Sequence, residues 1–177
     1  MKKVNIYTDG RHAKSKKHDV SYGICMIDSS NTIKTHSGEV DVAAFFEKFG
    51  EYVSNPTAEL YAAAKVLEIF RYAKNLHITI HSDFNGVQKW ISKEWKAKKP
   101  YIKFLLEYIE IYMAQLKANG SQVELKWIKG HNGHQYNELA DQLCTVKPHC
   151  ELTAWVKDHN KSFERVNVSG EEVTFAE

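Results

Sequence analysis

The sequence predicts an α/β fold, a mixed five-stranded sheet flanked by helices, with a C-terminal extension. Two patterns carry this expectation. Three stretches between Val4 and Val40 alternate apolar with polar residues and follow one another closely, so they form antiparallel strands. Two later stretches, at Leu76 to Ile80 and Val123 to Trp127, are reached only through long helical patterns, so crossovers lay them parallel to the first strand.

Val4 to Gly10 reads as the first strand and ends on Asp9-Gly10; Arg11 to His18 reads as a basic loop with Arg11, Lys14, Lys16 and Lys17. Val20 to Asp28 is the second strand, with Tyr22, Ile24 and Met26 on one face. Ser29-Ser30-Asn31 is a turn, and Thr32 to Val40 is the third strand. Val42 to Val53, with Phe45, Phe46 and Phe49, fits either a short helix or an irregular apolar lid. Asn55-Pro56 starts a helix that runs to Tyr72, Asn55 serving as the cap. Leu60, Ala63, Ala64 and Leu67 form its buried stripe, and Glu59 sits at the edge of that stripe in the first turn.

Leu76, Ile78 and Ile80 alternate as the fourth strand, which stops at Ser82-Asp83; Phe84 to Ile91 is a short helix. After a lysine-rich break from Lys93 to Pro100, Tyr101 to Lys117 is the clearest helix. Its stripe of Ile102, Leu105, Leu106, Ile109, Tyr112, Met113 and Leu116 is closed by Asn119-Gly120. Val123, Leu125 and Trp127 point inward from the fifth strand. Asn132-Gly133 is a turn, and from Gln135 a helix places Leu139 and Leu143 inward, with Asn137 and Asp141 sharing another face.

Composition excludes several classes. A hydrophobic content of 43% and a charged content of 26% are ordinary for a globular domain. Met1-Lys2-Lys3 leads into a strand rather than a secretory apolar core, and no apolar stretch reaches membrane-spanning length. Three cysteines, Cys25, Cys144 and Cys150, suit free thiols in a reducing, cytoplasmic setting.

The chemistry lies in the carboxylates. Ligands of such sheets bind at the carboxyl ends of parallel strands, which brings Asp9 and Asp83 to one edge, with Glu59 and Asp141 delivered by helices. Four acids in one crevice repel one another unless cations neutralise them, and hard oxygen donors suit Mg²⁺ or Mn²⁺. A pair of such ions roughly 3.5–4 Å apart clamps in-line displacement at phosphorus. A zinc cluster of His131, His134, Cys144, His149 and Cys150 is the weaker reading, because a helix separates its histidines from the cysteine-bearing tail.

Tyr7-Thr8-Asp9-Gly10, Thr57-Ala58-Glu59-Leu60, His81-Ser82-Asp83 and Lys129-Gly130-His131 through Asp141 together resemble type 1 ribonuclease H, in that family's order, over residues 3–146. The resemblance implies a catalytic domain at residues 1–146 and an extension of unassigned role at 147–177, in which Phe163 to Phe175 reads as a hairpin about Ser169-Gly170. It further implies a monomeric Mg²⁺-dependent endonuclease that hydrolyses the RNA strand of RNA/DNA hybrids, leaving 5′-phosphate and 3′-hydroxyl ends. Asp9, Glu59, Asp83 and Asp141 would bind two Mg²⁺ ions, with Mn²⁺ as an alternative. His131 would assist proton transfer or product release. Proofreading-type exonucleases of the same fold carry an acid where this chain has Arg11. Integrase-type enzymes draw their Glu from after the second Asp, whereas Glu59 precedes Asp83.

For the substrate, Gly10 and Arg11 adjoin the first acid, and Asn55 and Asn85 match family positions that contact the minor groove, where 2′-hydroxyls distinguish RNA. A charge run is usually a solvated face. Lys89 to Lys103, however, interleaves Trp90 and Trp95 with six lysines, Lys96, Lys98 and Lys99 among them, against the single acid Glu94. That composition suits a shortened element binding a nucleic-acid backbone. The alternative function is a non-catalytic nucleic-acid-binding or partner-docking domain that keeps the fold. An intact acid set argues against it, because clustered charges are costly without metal.

Overall fold

The structure, a computed structural model, describes residues 1–12, 20–51, 53–130 and 132–166. The strands are β1 (Lys2–His12), β2 (Val20–Asp28), β3 (Ile33–Glu39), β4 (Leu76–Ser82), β5 (Gln122–Trp127) and β6 (His149–Cys150). The helices are α1 (Val42–Phe49), α2 (Asn55–Phe70), α3 (Asn85–Ile91), α4 (Pro100–Ala118), α5 (Gln135–Leu143) and α6 (Leu152–Val166).

The sheet order is β5-β4-β1-β2-β3-β6. The pairs β1–β2 and β2–β3 are antiparallel, while β1–β4 and β4–β5 are parallel, as the connection lengths require. The expected five strands become six, because His149 and Cys150 pair with Ser37 and His36 on the edge of β3. Two residues carry no periodicity, which is why the alternation could not show them.

Pleating divides the core. Val4, Ile6, Ile24, Met26, Ile78 and Ile80 face the larger cluster under α1, α2, α4 and α6. Tyr7 and Cys25 face the other way and pack with Ala140 and Leu143 of α5. Helix α2 is buried along most of its length, from Thr57 to Phe70, which places it between the sheet and α4. The ambiguous phenylalanine segment is helical. Asp41 Oδ1 caps α1 by accepting from the Ala44 amide, and Gly50 ends it in the left-handed region at φ 73°.

Three expectations need correction. Asn55 is already helical; Ser54, with extended backbone, is the α2 cap, and its hydroxyl lies 3.3 Å from that of Thr57. Trp127 is not inward: 51% of it is exposed, and its indole N–H donates to the Asp83 carbonyl at 3.0 Å instead. The proposed C-terminal hairpin fails at its first arm, since residues 163–166 close helix α6; its turn and second arm lie outside the described residues.

Helix α6 is bound to the end of the sheet opposite the acids. Leu152 is fully buried, and Trp155 meets Phe70 with ring centroids 6.1 Å apart. Asn160 accepts from the Lys74 amide at 3.0 Å and donates to the Tyr72 carbonyl at 3.2 Å, closing the α2–β4 turn. No helix among the described residues is long and apolar enough to cross a membrane.

Candidate active site

Parallel pairing of Tyr7 with His81 and of Thr8 with Ser82 puts Asp9 and Asp83 side by side, just past the last parallel pair, where β4 ends and β1 runs on beside β2. Glu59 arrives from the first turn of α2. That approach depends on Gly10, where a Cβ would stand 2.5 Å from the Ala58 carbonyl carbon and 2.6 Å from the Glu59 nitrogen. The backbones could not come so close with any other residue. Each of Asp9, Glu59 and Asp83 offers a carboxylate oxygen, and the three oxygens lie within 4.8 Å of one another.

Asp141 comes from the other layer. Helix α5 presses Ala140 onto Gly23, where a Cβ would lie 2.2 Å from the Ala140 carbonyl oxygen, and Ser21 donates to the Cys144 carbonyl at 2.7 Å. The Cys144 thiol reaches the Asp9 carbonyl at 3.6 Å. These contacts hold Asp141, itself exposed, close enough to Asp9 to act on its carboxyl.

The electrostatics follow from this crowding. Asp9 is pushed up from 3.8 to about 7, first by burial and then by the Asp83 and Asp141 charges, although a hydrogen bond from Glu59 works the other way. Glu59 is raised well above its ordinary range by burial and by Asp9, with the Gly10 amide opposing. Burial and the same acids push the Cys144 thiol up, so it is an inert packing group. Glu59 Oε2 is buried with no hydrogen-bond partner. Buried oxygen donors with raised proton affinity, one of them unpaired, fit a hard divalent cation such as Mg²⁺ or Mn²⁺. The zinc alternative finds no such convergence among the described residues. Cys144 is bonded to Asp9 and Ala140, and His149 lies against Thr35 and Ser37 at the sheet's far edge.

The loop between β5 and α5 runs close to this cluster, since a Cβ on Gly130 would meet Asp83 Oδ2 at 3.0 Å. His131 lies outside the described residues. His134 is the residue before α5, and its ring packs against Tyr7 at 4.8 Å.

The expected substrate residues lie on several elements, with Gly10, Arg11, Asn55 and Asn85 within four residues of an acid in the sequence. Arg11 is exposed at the end of β1, Asn55 is exposed at the start of α2, and Asn85 is half-buried at the start of α3. Trp90 and Trp95 meet edge to face with centroids 5.8 Å apart, and Phe84 joins both. Lys96, Lys98 and Lys99 are exposed, but Lys99 is held by Glu51 at 3.2 Å. The tryptophans and Phe84 therefore form a small aromatic cluster, with Lys89 lying 5.3 Å over the Trp95 ring. Sequence reasoning missed the packing of Tyr7 against His81, at 4.5 Å and 9° from parallel, because alternation alone identifies a face but not its cross-strand partner.

Comparisons with known proteins identify the family and the fold. The sequence model of the family described as RNase H matches residues 1–148. The chain is similar to "Ribonuclease H" of Lachnoclostridium phytofermentans, at 32% identity over 156 residues, covering 81% of this chain and 90% of that protein. It is also similar to "Ribonuclease H" of Hahella chejuensis, at 27% identity over 155 residues, covering 82% of this chain and 93% of that protein. Among solved structures, LC11-RNase H1 in complex with RNA/DNA hybrid shares the fold, with a TM-score of 0.58 and 16% identity over 80% of this chain and 96% of that one.

Proposed function

The chain belongs to the RNase H family, and from that premise we propose that it is a Mg²⁺-dependent endonuclease hydrolysing the RNA strand of RNA/DNA hybrids to 5′-phosphate and 3′-hydroxyl ends. The observation that carries this reading is the convergence of Asp9, Glu59 and Asp83 within 4.8 Å, with a buried Glu59 oxygen left without a partner.

Asp9, Glu59, Asp83 and Asp141 would hold two Mg²⁺ ions, or Mn²⁺. Bound there, the ions would supply charge neutralisation and Lewis-acid assistance for attack of water at phosphorus. The side chains do the rest. Gly10 and α2 fix Glu59, the Gly23–Ala140 contact fixes Asp141, and the parallel register fixes Asp9 against Asp83, so the cluster is preorganised on rigid elements. His131 would move a proton or help product leave.

Gly10, Arg11, Asn55 and Asn85 would meet the hybrid beside the acids. The Trp90–Trp95 cluster with Lys96, Lys98 and Lys99 would lie along a backbone. The solved complex of LC11-RNase H1 with RNA/DNA hybrid supports that substrate class. We place the catalytic unit at residues 1–146 of a cytoplasmic monomer, with residues 147–177 as an extension.

The test is end-labelled RNA/DNA hybrid, RNA duplex and DNA duplex, each incubated with the protein and Mg²⁺. Cleavage confined to the RNA of the hybrid is expected. Binding without cleavage would instead support a non-catalytic domain.

A further inference from the structure

Behind the acids, on the face covered by α5, aromatic rings gather. Tyr7 and His81 are register partners on β1 and β4 and lie nearly parallel at 4.5 Å. His134 packs against Tyr7 at 4.8 Å, and Tyr136 packs against it at 5.5 Å. Asn5 Oδ1 fixes the far end of the His81 ring, 2.9 Å from Nε2. Each of the three principal rings precedes an acid closely in the chain. Tyr7 stands two residues before Asp9, His81 two before Asp83, and His134 seven before Asp141, about two helical turns away.

Helix α5 has nine residues, and its two ends are held differently. The C-terminal half is fixed by Ala140 on Gly23, by Ser21 on the Cys144 carbonyl and by Cys144 on Asp9. The N-terminal half meets the sheet through His134 and Tyr136 on Tyr7. His134 also caps the helix, but its Nδ1 accepts from the Asn137 amide at 3.5 Å, the outer limit of a hydrogen bond. The ring contact is therefore the stronger hold. A short helix held firmly at one end can still pivot there, and Asp141, beside that pivot, would change the direction of its side chain with the tilt.

We propose that His134 is a positioning residue: packed on the Tyr7–His81 pair, its ring fixes the tilt of α5 and thereby brings the Asp141 carboxylate to Asp9. The inference rests on the reading of Asp9 and Asp141 as metal ligands. An aromatic contact of this kind shifts an equilibrium by about two- to tenfold, which sets the size of the effect.

The test uses the full chain with His134→Ala, His134→Phe and His134→Asn. Mn²⁺ binding is followed by the loss of the free-ion electron paramagnetic resonance signal, alongside steady-state cleavage of the hybrid. Phe keeps a ring without a capping nitrogen; Asn keeps a cap without a ring. His134→Ala and His134→Asn are expected to weaken Mn²⁺ binding by about two- to tenfold and to lower kcat with little change in KM, whereas His134→Phe stays near wild type. The reverse order, Asn normal and Phe impaired, would show a helix cap and overturn the proposal. Equal Mn²⁺ binding in all variants would overturn it too. Should His134→Ala not fold, the Phe and Asn variants decide between the outcomes. A wild-type protein that takes up Mn²⁺ but leaves the hybrid intact would refute the proposed function while the Mn²⁺ comparison still judges His134.

Discussion

Gly10 and Glu59 approach so closely that a Cβ at Gly10 would lie 2.6 Å from the Glu59 backbone nitrogen. The first strand and the second helix are in backbone contact at the point where each contributes an acid. Gly10→Ala should therefore push α2 away and displace the Glu59 carboxylate. An overpacking cost of about 1–3 kcal/mol is expected in urea unfolding, together with loss of most hybrid cleavage. Unchanged stability and turnover would mean that the helix can yield without cost.

Removing one of the crowded charges should do the opposite to stability. Asp9→Asn and Asp83→Asn are expected to abolish cleavage and to raise the melting temperature in metal-free buffer, because each relieves repulsion among the acids. Melting curves with and without chelator, paired with the cleavage assay, test both halves. Near-normal cleavage by either variant would remove it from the metal-binding set.

The same crowding fixes the sign of a pH effect. Folding raises the Asp9 carboxyl from 3.8 to about 7 and raises Glu59 as well. A raised group contributes stability below its unfolded value and loses that contribution as pH climbs through the folded value. Metal-free protein should accordingly lose stability between about pH 4 and about pH 7 from this cluster, and Asp9→Asn should flatten the loss. Mg²⁺ should reverse the trend, since the ions bind the deprotonated acids. Urea midpoints across that range, with chelator and with Mg²⁺, give the comparison.

Lys96, Lys98 and Lys99 are exposed, but Lys99 already has Glu51 at 3.2 Å. Replacing all three with alanine should weaken hybrid binding and flatten its salt dependence by about two units of slope, because each phosphate contact contributes about 0.9 and Lys99 contributes less. Turnover at saturating substrate should change little. A salt slope equal to wild type would return this segment to a solvated face.

Leu152 is fully buried in the main core although it lies beyond the residues matched by the family. Leu152→Ala should cost about 2–5 kcal/mol, measured by urea unfolding, while KM for the hybrid stays unchanged because α6 packs at the opposite end of the sheet from the acids. A negligible cost would show that α6 does not contribute to the stability of the fold.

Much of the fold was legible because its elements are long and their periods differ. The bounds expected for β2, Val20 to Asp28, are those observed, since alternation there ends against a turn at Ser29. Asp9, Glu59 and Asp83 converge as strand ends and a helix start dictate. What was not legible depends on partners. The cap of α2 shifted by one residue because Ser54 and Asn55 are both good caps, and Pro56 is compatible with either. Trp127 continues the alternation of β5, yet an edge strand leaves room for its indole to turn toward the Asp83 carbonyl. Helix α6 follows a two-residue strand and has strongly polar stretches, so its buried Leu152 and Val156 do not stand out from the sequence around them.

The strand order also has a consequence in time. β1 is made before β4 and pairs along one edge with β2, its neighbour in sequence, but its other edge must wait for β4, whose residues pair with it from 74 positions away, Lys2 with Leu76. Until then one edge of a strand with buried Val4, Ile6 and Thr8 stays open. The non-local parallel pairing, rather than any hairpin, is expected to form last, because closing a longer loop costs more entropy. The acids share that delay: Asp9 and Asp83 become neighbours only when β4 docks, so their mutual repulsion is met late, once the sheet can bear it.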